Sequence, residues 1–174
     1  MTDNHGTNMN RFEKQTFLLV EAHEHDVRFV KEAFNNAEIP NPLRVLNGGD
    51  EAIAYLAGAS PYNDRISHPL PSVLLLDFNL PGKNGFEVID WVRRQPALKS
   101  LVIIALTDSE RRADVQRAYD LGVSSYLTKP GLFTDFVLPF LAVDAVSHCF
   151  PTSGYQPPLR VAAESQRDRS SRCH

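Results

Sequence analysis

The chain has 174 residues, 18 Lys and Arg against 21 Asp and Glu for a formal net charge of -3, and is 43% apolar and 22% charged. These values exclude a mostly disordered, fibrous or collagen-like chain, and the charge balance argues against a dedicated nucleic-acid binder. Its two cysteines, Cys149 and Cys173, are too few for a disulfide scaffold or a four-ligand zinc site and suit a reducing compartment. Residues 1–16 carry no apolar signal core, so export is not expected. The most apolar long window, 136–150, has 11 apolar residues of 15 and includes Asp144. A membrane span needs about 20. The expectation is a cytoplasmic protein with neither membrane nor nucleic acid as partner.

Residues 1–13 read as a flexible lead-in and 14–150 as one folded unit. Residues 151–174 read as a flexible tail with four Arg, two acids and three Pro but no sustained periodicity. Within the unit, strands and helices alternate. FLLV at 17–20 is the first strand, followed by a helix with Val27, Val30 and Phe34 on one face. LRVL at 43–46 precedes a shorter helix carrying Ala52, Ile53 and Leu56. VLLLDF at 73–78 is the third strand, and Phe86, Ile89, Trp91 and Val92 mark the next helix, with Pro96 just beyond its end. LVIIAL at 101–106 is the fourth strand. Val115, Ala118, Tyr119 and Leu121 mark the helix after it, closed by Gly122. SSYLT at 124–128 is the fifth strand and 134–148 a fifth helix, in which Pro139 forces a kink or a restart. Three strands are continuously apolar, as in a parallel sheet buried on both faces. The predicted fold is α/β: a (βα)5 flavodoxin-like open parallel five-stranded sheet, strand order 2-1-3-4-5, with helices on both faces.

In such a sheet the functional site lies beyond the carboxyl ends of the strands. Glu21, Ala22, His23 and Glu24 end the first strand; Asp77, Phe78 and Asn79 the third; Thr107, Asp108 and Ser109 the fourth; Thr128, Lys129 and Pro130 the fifth. A carboxylate at Asp77 can attack phosphorus and form an acyl phosphate. Acids can hold Mg²⁺, while a lysine and a hydroxyl grip phosphoryl oxygens, roles that Glu21, Lys129 and Thr107 fit in type and placement. Singly, each residue has a bland explanation: a loop or helix cap for Asp77, strand propensity for Thr107, a solvated loop for Lys129. Together, compatible groups at four strand ends favour chemistry. The PGKNG turn with Lys83 and Gly85 lacks the Gly-Lys-Ser/Thr signature and is no phosphate loop.

FLLVE at 17–21, LLLDFNLPGKNGFEVI at 74–89, IIALTDS at 103–109 and AYDLGVSSYLTKP at 118–130 resemble the receiver domain of a two-component response regulator. The resemblance spans about 16–150, and the spacing from Asp77 to Thr107 to Lys129 is that of a receiver. HDVR at 25–28 and the loop SPYNDRISHPLP at 60–71 are similar to single-domain regulators associated with phytochrome-type histidine kinases. The resemblance implies that Asp77 accepts a phosphoryl group from such a kinase, that Lys129 pairs with the carboxylate and then the phosphate, and that Thr107 moves to a phosphoryl oxygen. It implies that Tyr126 is the rotating aromatic that reports on Thr107, and that Mg²⁺ is held by Glu21, Asp77 and the Asn79 carbonyl. It also implies a cis Lys129–Pro130 peptide. Receivers commonly pair through helix four, strand five and helix five. With the apolar excess of the fifth helix, this predicts a homodimer through Tyr126, Phe136 and Phe140.

Two departures qualify the resemblance. Receivers usually carry a second acid after strand one, and here Ala22 stands in its place, which weakens the Mg²⁺ site; His23, Glu24 and His25 either supply a replacement ligand or form a solvated loop. Asp108 replaces a small uncharged residue and either opposes an incoming phosphate or faces solvent and caps the next helix. The leading expectation is therefore a single-domain phosphoacceptor that is not an enzyme. The alternative is a degenerate receiver with weakened Mg²⁺ binding, acting as a docking module. An Asp-nucleophile phosphatase ranks low, because Asn79 stands where such enzymes place a second acid. The tail is too short for a DNA-binding output domain.

Overall fold

Successive side chains of a strand point to opposite faces, and in the computed structural model, which describes residues 15–129, both faces of the sheet are packed. The elements in chain order are β1 (Phe17–Val20), α1 (Glu24–Asn36), β2 (Leu43–Leu46), α2 (Gly49–Ala57), β3 (Val73–Leu76), α3 (Gly85–Arg94), a 3-10 turn (Pro96–Leu98), β4 (Val102–Thr107), α4 (Arg112–Asp120) and β5 (Ser125–Thr128). The five strands are parallel in the order β2-β1-β3-β4-β5, as predicted.

On one face Leu18, Val20, Leu74, Leu76, Ile103 and Ala105 pack with Ala52, Leu56, Val88, Ile89, Val92 and Ala118 of α2, α3 and α4. On the other, Phe17, Leu19, Val73, Leu75, Ile104 and Leu106 pack with Val27, Val30, Ala33 and Phe34 of α1. Each fully buried Leu or Ile contributes roughly 1.5–3 kcal/mol, and this two-sided burial is why the strand sequences are apolar without alternation.

Strand ends differ from the sequence expectation by one or two residues, for identifiable reasons. The third strand was expected to reach Phe78, but the ladder stops at Leu76. There the Asp77 Oδ1 accepts the Phe78 N–H at 2.7 Å, and the Phe78 carbonyl accepts the Gly85 N–H at 3.2 Å, which turns the chain toward α3. Gly85 is required by this close approach: a Cβ there would lie 2.5 Å from the Asp77 carbonyl oxygen. Asn84 and Glu87 then cap α3 reciprocally, a capping box. α4 ends at Asp120, so Leu121 lies just past it, and Gly122 takes the left-handed conformation at φ 95°.

The α2–β3 connection, 58–72, is held by its own contacts. Arg65 donates to the carbonyls of Tyr55, Leu56 and His68 at 2.8, 2.9 and 3.2 Å. The Tyr62 hydroxyl donates to Glu51 at 2.6 Å, and that bond and burial push its pKa to about 12. Ile66, at the tip, is 94% exposed. The predicted fifth helix with Phe136, Pro139 and Phe140, the Lys129–Pro130 peptide, and both expected flexible ends fall outside the described residues.

Candidate functional site

Parallel register builds the rim. Val20 pairs with both Leu46 and Leu76, Leu76 with Ala105, and Thr107 with Thr128. Glu21, Asp77, Thr107 and Lys129 therefore emerge side by side at the carboxyl edge. The ladder continues into the site, because the Asp77 N–H donates to the Val20 carbonyl and the Lys129 N–H to the Thr107 carbonyl, both at 3.0 Å.

Three of these side chains are buried polar groups: Glu21 and Asp77 are 1% exposed and Thr107 0%. Lys129 reaches in from β5. Its ammonium donates to Glu21 Oε2 and, at 2.9 Å, to Asp26 Oδ2, and it stands 3.5 Å from Asp77 Oδ2. Burial pushes the Asp77 carboxyl above its ordinary value and the Glu21 charge adds to this; Lys129 and the N–H groups of Phe78 and Asn79 oppose it without cancelling it. Burial pulls the Lys129 ammonium down, but its bonds to Glu21 and Asp26 and the charge of Asp77 outweigh that, so its pKa is raised. Burial also raises the Asp26 carboxyl, yet the bonds from Lys129 and His25 leave it lowered overall.

The remaining expected residues fall around this group. Asn79 is exposed in the loop after Asp77. Thr107 Oγ1 accepts the Ser109 N–H at 3.2 Å, while the Ser109 carbonyl accepts the Tyr126 hydroxyl at 2.7 Å. One residue thus links the two expected switch residues. Tyr126 is half-buried, with its ring edge-to-face against Phe78 at 5.6 Å.

Ala22, Glu24 and His25 are exposed. His23 turns back, donating its N–H to Glu21 Oε1 at 2.8 Å and bringing its Nδ1 within 3.1 Å of the same oxygen. Asp108 is exposed and does not cap α4: Arg111 is the N-cap residue and makes no side-chain capping bond. The turn is tied instead by Ser109, whose Oγ donates to Asp114 at 2.6 Å and accepts the Arg111 N–H at 3.3 Å.

Two residues of the site escaped sequence reasoning. Asp26 lay in the quoted HDVR segment but was given no role of its own. Ser109 was placed at the rim without a role, and its links to Thr107 and Tyr126 run through its backbone, which leaves no mark in the sequence. Glu21, His23 and Asp26 bring one donor atom each within 4.8 Å of one another. The carboxylates of Glu21, Asp26 and Asp77 are hard oxygen donors of the kind Mg²⁺ takes.

The family model described as response regulator receiver domain matches residues 17–137, from β1 past the rim of β5, and the chain belongs to that family. Receivers are signalling modules of two-component systems, phosphorylated by histidine kinases. Among curated proteins this chain is similar to response regulator Rcp1 of Synechocystis sp., 37% identical over 115 residues, 66% of this chain and 76% of that protein. Among solved structures it is similar to the Mn(2+)-bound form of Rcp1 (TM-score 0.64, 32% identity, 82% of this chain and 99% of that one). It also resembles the bacteriophytochrome response regulator RtBRR (TM-score 0.66, 32% identity, 84% and 85%). The chain is a response-regulator receiver related to the phytochrome response regulators. No helix among the described residues is long and apolar enough to cross a membrane.

Proposed function

We propose that Asp77 is the residue on which this receiver accepts a phosphoryl group, that the donor is a phytochrome-type histidine kinase in the cytoplasm, and that the signal passes on through protein contacts rather than through an enzymatic turnover of its own. The observation that carries this is the burial of Asp77, 1% exposed at the end of the central strand, with the Lys129 ammonium 3.5 Å from its Oδ2. An Asp77 carboxylate oxygen attacks the phosphorus of a phosphohistidine. A P–O bond forms, the P–N bond breaks, and its electron pair stays on the imidazole. The raised Lys129 stays charged throughout and neutralises developing negative charge. Thr107 Oγ1, already accepting from Ser109, still has its own proton to donate to a phosphoryl oxygen.

Glu21, Asp77 and the Asn79 carbonyl are the groups that would hold Mg²⁺. When bound, the ion offsets charge on the transferring group. The Tyr126 face, with Phe136 and Phe140, is the surface for a second copy of the chain. Light scattering at ~100 μM should read a dimer, since apolar interfaces of standard size hold at that concentration, and a monomer removes this part of the proposal.

The acceptor is tested by intact mass after incubation with a small phosphodonor and Mg²⁺. The wild type gains one phosphoryl group and Asp77→Asn gains none. A label that survives in Asp77→Asn overturns the assignment.

A further inference from the structure

Three carboxylates face one ammonium at the α1 side of the rim: Lys129 bonds Glu21 and Asp26 and stands 3.5 Å from Asp77. Buried charges are ordinarily paired, so this corner has negative charge to spare for a further cation. The ammonium also leaves two oxygens to other groups. It takes Glu21 by Oε2 and Asp26 by Oδ2. Glu21 Oε1 and Asp26 Oδ1 turn instead to two imidazoles, His23 Nδ1 at 3.1 Å and His25 Nδ1 at 3.3 Å.

His23 sets this corner apart. It is the N-cap residue of α1, a place that Ser, Thr, Asp or Asn usually fill, yet it makes no side-chain capping bond. Its ring folds back toward the buried Glu21 carboxylate instead. Glu21, His23 and Asp26 each bring a donor atom within 4.8 Å of the others, so a small side-chain movement places all three about 2 Å from one ion. Mg²⁺ takes oxygen ligands, whereas an imidazole joined to carboxylates suits Zn²⁺, Co²⁺ or Ni²⁺. His23 is exposed, so water can complete the coordination and the ion has a way in.

We propose that Glu21, His23 and Asp26 form a second metal centre, for a divalent ion of the Zn²⁺ class, beside the acceptor and apart from the Mg²⁺ position. His23 and Asp26 are not among the groups assigned to Mg²⁺; Glu21 belongs to both sets and is the link between them. The Lys129 ammonium keeps its own two oxygens. The centre stands on these donors alone and does not depend on Asp77 being the acceptor.

The test titrates the full chain with Zn²⁺ and, separately, with Mg²⁺ by calorimetry, as wild type, His23→Gln, His23→Asp and Asp77→Asn. A zinc-soaked crystal of the wild type accompanies the titrations. His23→Gln should weaken Zn²⁺ binding tenfold or more, since losing a ligand costs at least the ~10–100-fold of losing an outer partner. Its Mg²⁺ affinity should be unchanged. Zinc held by the other histidines and cysteines is common to both chains and cancels in this comparison. His23→Asp exchanges nitrogen for oxygen and should narrow the preference for Zn²⁺ over Mg²⁺. Asp77→Asn should weaken Mg²⁺ far more than Zn²⁺. The crystal should show zinc about 2.0–2.1 Å from His23 Nδ1. Equal Zn²⁺ affinities in wild type and His23→Gln overturn the proposal, and so does a crystal with no zinc at His23. Equal losses of both ions in Asp77→Asn overturn the separation of the two centres. If the wild type binds no Mg²⁺, the Mg²⁺ reading falls by itself and the zinc titrations still decide. If His23→Gln fails to fold, the wild-type crystal decides.

Discussion

The Tyr126 hydroxyl donates to the Ser109 carbonyl at 2.7 Å, tying β5 to the loop that leaves β4. The same Ser109 gives its N–H to Thr107 and its hydroxyl to Asp114 of α4. Thr107, the β5 aromatic and α4 are therefore joined through a single residue.

Removing this tie should be measurable without any phosphoryl group. Tyr126→Phe keeps the ring against Phe78 and deletes only the donor, so it should cost about 1 kcal/mol in urea unfolding, the scale of one hydrogen bond. The Ser109 and Arg111 amides, which donate into the same turn, should exchange with solvent faster in the variant. Unchanged stability and exchange would mean that the bond is not made in solution.

The buried Asp77 carboxyl should cost stability when ionised. Its pKa is raised by burial, so the folded chain binds this proton more tightly than the unfolded chain does, and wild type gains stability as pH falls through the folded value. Asp77→Asn lacks that cost. The variant should be more stable than wild type at pH 7 by about 1 kcal/mol, as is common when a functional polar group is removed. The difference should disappear below the ordinary carboxyl value of 3.8. Urea unfolding at pH 7 and pH 3.5 checks this, and a destabilised variant at pH 7 would contradict it.

Ala22 is exposed on the rim next to Glu21, so an acid can be placed there without entering the core. Ala22→Asp should tighten Mg²⁺ binding by about tenfold or more, on the scale of a change in the ligand shell, as read by calorimetry. The metal-free variant should be less stable through carboxylate repulsion, and Mg²⁺ should restore it. Equal affinities would show that Asp26 or another group already does what the missing acid would do.

The sheet was legible because buried parallel strands must be apolar on both faces, and FLLV and VLLL leave little else to read. Strand ends were less legible, because they are set by particular bonds such as Asp77 to Phe78. The residue types of the rim were legible from their positions after strands. Asp26 was not: an acid in the first turn of a helix suits the helix dipole wherever it points. Only the fold brings it to Lys129, 103 residues away. Ser109 was hidden for another reason, since any residue has the carbonyl that Tyr126 uses. One of the two readings of Asp108 gave it a cap, which the turn around Ser109 makes unnecessary.

The α2–β3 loop enters β3 at Val73, while Asp77 leaves from the other end of the same strand. At about 3.3 Å per residue the two lie roughly 13 Å apart, with the packed core between them. Arg65 fastens the loop to the end of α2 rather than to anything on the rim. The Arg65 fastening and the Asp77 carboxylate therefore belong to opposite ends of the domain. Ile66, outside the Arg65 fastening, is a natural attachment point: a fluorophore or a short peptide grafted there would travel with the domain and leave the phosphoacceptor chemistry untouched.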